Sequence, residues 1–320
     1  MPPGTSPYQS DPPESAPDEL ADAPDQTRDR PARRAMHATV AVLPTLCTLG
    51  NLLCGFIAVF LVSRPPDPSQ PAYRLFVLAS LFIFFGMVFD GLDGQLARLT
   101  KHASNLGAQL DSMADMVTFG VAPAFLVVQL MQLNAVPLLT DDPDPLWALC
   151  GRLALVSACI YVACAALRLA RFNIETESDD TVDHMSFEGL PTPGAAGTVA
   201  SLVMLHQYFL GTYMPTSEVA FAAHNHFRDA PTIVQVSSVG MLAITLAAAF
   251  GMVSRLRYAH LTNRYLRGHA PIGYVARAVI GVLLLLVHFQ AMLAAGFVAY
   301  ALSAPCVWVW KRTWRRETRI

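Results

Sequence analysis

Long apolar runs without a charged residue constrain this chain more than any other feature of its sequence. The shortest of them holds 15 residues, and the longest, Ala278–Trp310, holds 33. About 20 apolar residues cross a bilayer as a helix, and only helices and closed barrels satisfy their own backbone there. Charged residues make up 14% of the 320-residue chain, whereas soluble domains average about 25%. The sequence therefore predicts an all-α, polytopic transmembrane helix bundle and argues against a soluble enzyme.

The predicted bundle has about eight spans. As a single helix the last run would be about 50 Å long, against a hydrocarbon core of about 30 Å, so we expect it to fold back near residues 288–290. An even number of spans also places both basic ends of the chain on one side, together with 18 of the 22 Lys and Arg residues. By the positive-inside rule this side is cytoplasmic, in what we expect to be a bacterial-type inner membrane. The runs are Val40–Val62, Leu75–Arg98, Met116–Thr140, Leu153–Leu167, Leu190–Tyr213, Ile233–Ser254 and the two halves of Ala278–Trp310.

The two ends of the chain differ from this bundle. Residues 1–35 contain eight of the 23 prolines and almost no large apolar side chain. Such a segment buries too little surface to offset its ordering entropy, so we predict a disordered cytoplasmic tail. Residues 36–310 form the predicted transmembrane domain, and residues 311–320 form a short basic cytoplasmic tail.

Four aspartates interrupt the apolar pattern where the second span ends and the third begins. Asp90 and Asp93 have i,i+3 spacing, and Asp111 and Asp115 have i,i+4 spacing, so each pair shares a helix face. The short connection makes the two helices antiparallel neighbours, so the pairs can converge. Converging carboxylates repel one another and need a cation, and oxygen-only ligands suit Mg²⁺ or Mn²⁺. We therefore predict a divalent-metal site, the alternative being four solvated aspartates at helix ends.

The same residues carry a family resemblance. The segment Asp90–Arg98 reads D-G-L-D-G-Q-L-A-R, and after eight residues Gly107–Asp115 reads G-x-x-x-D-x-x-x-D. This arrangement resembles the signature of the CDP-alcohol phosphatidyltransferases, D-x-x-D-G-x-x-A-R-x8-G-x-x-x-D-x-x-x-D, and every fixed position matches.

The resemblance implies a mechanism and a ligand set. A hydroxyl group attacks a CDP-linked lipid at a site with two metal ions, Mg²⁺ or Mn²⁺, and CMP is released. Asp90, Asp93 and Asp111 are metal ligands, and Asp115 is both a metal ligand and the catalytic base. A homodimer, common in the family, is implied in the same way.

Further residues are candidate contacts for CDP and its phosphates. Arg98 lies one turn from Asp93 and could hold a phosphate or pair with an aspartate. In the first span Thr48 and Asn51 share a face that suits a nucleotide, the alternative being hydrogen bonds between helices with glycine packing. The predicted set is Thr48, Asn51, Gly94, Ala97, Arg98 and Gly107.

The flanking sequence indicates the acceptor alcohol. It implies transfer of the phosphatidyl group of CDP-diacylglycerol to L-serine within membrane lipid, with no nucleic-acid partner. Arg168, Arg171 and Asn173 are candidates for binding the serine carboxylate or a lipid phosphate, the alternative for the arginines being ordinary positive-inside charge. Another acceptor, such as glycerol phosphate or inositol phosphate, stays open, as does a cation transporter built on the aspartates. The segments that resemble serine-specific members of the family are Leu43–Phe56, Asp111–Ala124, Arg168–Asn173 and Phe187–Pro193.

Overall fold

A computed structural model describes the backbone at residues 30–64, 72–100, 105–135, 145–177, 189–213, 232–256, 258 and 288–317. The chain divides into two units, residues 1–40 and residues 41–320. Of the first unit the structure describes only the start of a helix at Arg30, which lies inside the segment 1–35 predicted to be disordered; the rest of that segment lies outside the described residues.

The described part of the chain is built from helices. Residues 105–135 form one continuous helical segment in which a π-helical stretch, Met116–Val121, joins two α-helices. The α-helices are α1 (Arg30–Ser63), α2 (Ala72–Thr100), α3 (Asn105–Asp115), α4 (Ala122–Ala135), α5 (Pro145–Glu177), α6 (Thr192–Tyr213), α7 (Thr232–Val253) and α8 (Phe289–Glu317).

Six of these segments are long and apolar enough to cross a membrane, which makes the protein an integral membrane protein and confirms the predicted all-α bundle. Helix α6 is a seventh segment of membrane length, since its 22 residues span about 33 Å. The remaining predicted span, the first half of Ala278–Trp310, lies outside the described residues up to residue 287, and α8 begins at Phe289, where we predicted a turn. The six segments are Leu43–Ser63, Arg74–Leu96, Leu106–Gln132, Ala148–Ile174, Thr232–Val253 and Phe289–Arg312.

Helix α6 lies at the centre of the described bundle, and its polar groups face protein. It packs against α2, the π-helical stretch, α4, α5, α7 and α8. His206, which is 1% exposed, has its Nδ1 atom 2.7 Å from the Ser237 hydroxyl of α7. Small side chains such as Ala195, Ala196 and Ala200 are fully buried and let neighbouring helices approach closely.

The last helix extends further than expected. Helix α8 runs to Glu317, and therefore into the segment 311–320 predicted as a basic tail. Its 29 residues correspond to about 44 Å, which exceeds the roughly 30 Å of the hydrocarbon core. Its final turns, which carry Trp310 and Arg312 as exposed side chains, thus belong at the membrane interface.

Candidate metal and active site

Three carboxylates converge where α2 ends and α3 begins. One oxygen atom from each of Asp90, Asp93 and Asp111 lies within 4.8 Å of the others. Asp93 is only 5% exposed, and Asp111 Oδ1 is buried without a hydrogen-bond partner among the described residues. A cation would satisfy that oxygen and relieve the repulsion between the three groups. The donor set consists of carboxylate oxygens and therefore fits a hard divalent cation.

The fourth aspartate lies beside this cluster and is held from helix α1. Asp115 lies one turn after Asp111 in α3 and is close enough to Asp90 and Asp111 to interact with both electrostatically. Asn51 Nδ2 donates a hydrogen bond to Asp115 Oδ1 at 3.0 Å. The Asn51 side chain is completely buried, so this bond fixes the carboxylate of Asp115 from inside the bundle.

Helix α1 holds a second aspartate in the same way. The Thr48 hydroxyl donates to Asp93 Oδ2 at 2.9 Å and also lies 3.1 Å from the carbonyl oxygen of Pro44. The polar stripe of Thr48 and Asn51 thus makes hydrogen bonds between helices, the alternative raised by the sequence. A contact of these two residues with a nucleotide stays a prediction.

The positions of Thr48 and Asn51 depend on the close packing of three helices around Thr118, Gly55 and Gly86. No site role had been predicted for these three residues. The Thr118 hydroxyl donates to the main-chain oxygen of Asn51 at 2.8 Å. Gly55 and Gly86 both face Thr118; a Cβ on Gly86 would lie 2.5 Å from Thr118 Cγ2 and 2.9 Å from Asn51 Oδ1. Larger residues at either glycine would push α1 or α2 away from the aspartates. The available signal was that Thr118 follows Asp115 by three residues and so shares its helix face.

The π-helical stretch begins directly after Asp115. A π-helical turn widens the helix by one residue and removes the regular i→i−4 hydrogen bonds, and such turns are frequent at functional sites. Here the carbonyl oxygen of Phe119 accepts a hydrogen bond from the Tyr161 hydroxyl at 3.1 Å. Tyr161 is fully buried in α5, so this bond fixes α5 against the segment that carries Asp115.

The end of α5 is brought against α3 by a second contact. Asn173 Nδ2 donates to Ser112 Oγ at 3.0 Å, and the Ser112 hydroxyl lies 3.1 Å from Asn173 Oδ1. Arg168 lies between Tyr161 and Asn173 along α5. Arg168 Nη1 donates to Thr192 Oγ1 at 2.7 Å, and Arg171 is half-buried on the same helix. The structure thus brings Asn173 against α3, the helix that carries Asp111 and Asp115, whereas Arg168 contacts the first residue of α6.

The remaining predicted contacts are described in part. Gly94 is exposed, and no described atom lies within 4 Å of where its Cβ would be, so space for a ligand remains there. Gly107 is half-buried near the start of α3. The side chains of Ala97 and Arg98 lie outside the described residues, so their role stays a prediction.

Fold and site together define a polytopic membrane protein with a buried carboxylate cluster suited to a divalent cation. The family model of the CDP-alcohol phosphatidyltransferases matches residues 41–308. The chain belongs to this family.

Three relatives carry the name CDP-diacylglycerol–serine O-phosphatidyltransferase. The protein from Helicobacter pylori (strain J99) is 34% identical over 164 residues, which are 51% of this chain and 58% of the relative. The Bacillus subtilis protein is 32% identical over 193 residues, 58% of this chain and 91% of the relative. The Methanocaldococcus jannaschii protein is 34% identical over 168 residues, 52% of this chain and 63% of the relative. The chain thus spans between 58% and 91% of the length of these three relatives.

Proposed function

We propose that the protein transfers the phosphatidyl group of CDP-diacylglycerol to the hydroxyl group of L-serine, producing phosphatidylserine and CMP. The observation that carries this proposal is the convergence of Asp90, Asp93 and Asp111 beside Asp115 in a membrane bundle of this family. The names of the similar proteins support serine as the acceptor.

The four aspartates are proposed to hold two divalent cations, Mg²⁺ or Mn²⁺. Bound there, such ions neutralise the diphosphate of the substrate and stabilise the charge of the leaving group. The protein's part is to keep the carboxylates in position, and the hydrogen bonds of Thr48 to Asp93 and of Asn51 to Asp115 do this. Because both donors are neutral, they add no positive charge that would compete with a cation for the carboxylates.

Asp115 is proposed to act as the general base. Its carboxylate accepts the proton of the serine hydroxyl group while the serine oxygen forms a bond to the lipid-side phosphorus. The bond from that phosphorus to the oxygen of CMP breaks, and CMP leaves with the electron pair. Asn51 occupies one oxygen of Asp115 and so presents the carboxylate in one orientation.

Substrate contacts complete the proposal. Gly94, Ala97, Arg98 and Gly107 are proposed to surround the CDP phosphates. Toward the acceptor side, Arg168, Arg171 and Asn173 are proposed to bind the serine carboxylate or a lipid phosphate, as suits guanidinium groups. The hydrogen bonds between Asn173 and Ser112 of α3 support this assignment. The distribution of basic residues supports a cytoplasmic site in a bacterial-type inner membrane, and a homodimer stays a prediction.

The decisive experiment uses the full chain in lipid nanodiscs with CDP-diacylglycerol, Mn²⁺ and labelled serine. We expect labelled phosphatidylserine and an equal amount of CMP, both lost in Asp115→Asn. Thr245→Val is the matched control, because it removes a buried hydroxyl that donates only to the Met241 carbonyl within α7. Incorporation of glycerol phosphate or inositol phosphate instead of serine would show that the acceptor is wrong. Uptake of Mn²⁺ into vesicles without CMP release would contradict the enzymatic proposal altogether.

A further inference from the structure

The last helix, α8, packs unusually closely against the start of α6. A Cβ on Gly194 would lie 2.9 Å from Tyr300 Cε1, and one on Gly197 would overlap the ring of Phe297. Thr198 Oγ1 lies 2.8 Å from the Gly194 carbonyl and 3.3 Å from that of Phe297. Two glycines therefore create a groove in α6 into which two aromatic rings of α8 fit.

A second set of contacts fixes Tyr300 within this groove. The Tyr258 ring lies against Tyr300, with centroids 5.8 Å apart, and its hydroxyl donates to the carbonyl oxygen of Ala301 at 3.0 Å. The chain enters α6 through Gly189, whose φ of +91° suits glycine and whose N–H donates to the Leu256 carbonyl at 2.8 Å. The start of α6, the segment after α7 and the middle of α8 thus hold one another in place.

Arg168 of α5 reaches this junction. Its Nη1 atom donates to Thr192 Oγ1 at 2.7 Å, at the first residue of α6. Its guanidinium is also close enough to the Tyr300 hydroxyl for the two groups to interact electrostatically. Thr192 belongs to α6 and Tyr300 to α8, so Arg168 of α5 interacts with residues from two other helices.

We propose that Tyr300 and Thr192 are positioning residues that orient Arg168 toward an anionic oxygen group of a substrate. The inference rests on the proposed function. A free arginine side chain has many rotamers, and fixing them before the substrate arrives lowers the entropic cost of binding. The shared chemistry is a carboxylate or phosphate oxygen, supplied by serine or by CDP-diacylglycerol. Through Tyr300, the last helix thereby contributes to substrate affinity from outside the aspartate motif.

The test measures KM and kcat for both substrates in Tyr300→Phe and Thr192→Val. Loss of one orienting hydroxyl should raise the KM of one substrate about three- to tenfold, with kcat within about twofold. A rise for serine identifies the carboxylate as the ligand of Arg168, and a rise for CDP-diacylglycerol identifies the phosphate. Thr192→Ser keeps the hydroxyl group and should restore the wild-type KM.

Two matched variants separate positioning from packing. Tyr258→Phe removes a hydrogen bond to α8 but not the hydroxyl group near Arg168, so it should lower the unfolding temperature and leave both KM values within about twofold. Tyr208→Phe, on the exposed face of the far end of α6, should change neither quantity. Unchanged KM values in Tyr300→Phe, or equal increases in Tyr300→Phe and Tyr258→Phe, would overturn the inference.

Serine incorporation by the wild-type protein tests the proposed function separately from the positioning role of Tyr300 and Thr192. If it incorporates no serine, the proposed acceptor fails, and the same KM comparison is made with the acceptor that supports CMP release. A selective rise in Tyr300→Phe then still supports the positioning role.

Discussion

Replacing Asn51 with leucine tests how much the buried hydrogen bond to Asp115 contributes to catalysis. Leucine has the same branched outline as asparagine, although its methyl groups are larger, and it lacks the amide. Because Asn51 is completely buried and its Nδ2 atom lies 3.0 Å from Asp115 Oδ1, no water is expected to replace the lost donor. The carboxylate would lose its fixed orientation while the aspartate motif stays intact.

The size of the effect follows from the type of bond. A hydrogen bond to a charged group contributes about 1.5–3 kcal/mol. At about 1.36 kcal/mol for each factor of ten, its full loss in the transition state lowers kcat by about 10- to 150-fold. The KM for serine should stay within about threefold, because Asn51 is proposed to act on catalysis through Asp115, the proposed base, and not through the acceptor.

Initial rates of CMP release at saturating Mn²⁺ measure this effect. Gln207→Met is the matched control, since Gln207 is also a buried amide, at 3% exposure, but lines a cavity of about 560 Å³ between α2 and α6 at the other end of α2. Both variants should keep their helical circular-dichroism spectrum. A kcat for Asn51→Leu within twofold of wild type, in a folded protein, would refute the orienting role.

Other predictions test the metal site and the packing of the last helix. Asp111→Asn should weaken Mn²⁺ binding by at least about tenfold in titration calorimetry, since it removes the carboxylate whose Oδ1 has no other described partner. An unchanged affinity would contradict a metal at this cluster. Removing divalent metal with a chelator should abolish CMP release, and added Mn²⁺ should restore it; activity that survives chelation would exclude the proposed cofactor. Gly197→Ala should lower the free energy of unfolding by about 1–3 kcal/mol, and with it the unfolding temperature, because the added methyl group overlaps the Phe297 ring. Gly240→Ala should lower neither, since no described atom lies within 4 Å of the position of its Cβ. Equal unfolding temperatures for the two alanine variants would contradict the close packing of α8.

The convergence of three aspartates could be predicted because it depends on local geometry. Helical spacing puts Asp90 and Asp93 on one face, and a short connection between Thr100 and Asn105 makes α2 and α3 antiparallel neighbours. Neither step needs knowledge of the rest of the fold. The all-α bundle was predictable for a similar reason, since span length and backbone satisfaction in lipid leave few alternatives.

The hydrogen bonds from α1 could not be predicted, although the sequence shows the polar stripe. Thr48 lies 45 residues from Asp93, and Asn51 lies 64 residues from Asp115. Whether such groups meet a nucleotide or an aspartate depends on the rotation and depth of α1 against two other helices. That register depends on the close approach of the Thr118 side chain to the backbone of Gly86, which no periodicity encodes.

The π-helical stretch and the position of α8 were beyond sequence reasoning for different reasons. Residues 116–121 have an ordinary apolar composition, and the hydrogen bond that Phe119 accepts there comes from Tyr161, 42 residues away. The contact between Thr198 and Phe297 joins residues 99 positions apart. The alanines and glycines of α6 indicate that another helix packs closely against it, but they do not indicate which helix that is.

The choice of neutral donors explains how a membrane protein can keep four carboxylates together and still attract a cation. An arginine or lysine paired with Asp93 or Asp115 would also satisfy the carboxylate, but its positive charge would compete with the metal ion for the same oxygens. Thr48 and Asn51 each orient one carboxylate and add no charge. Neither donor therefore competes with a divalent cation for these two carboxylates. In the metal-free protein, however, the aspartates repel one another strongly. Such a site should be most stable with metal bound, so Mn²⁺ should raise the unfolding temperature of the wild-type protein more than that of Asp111→Asn.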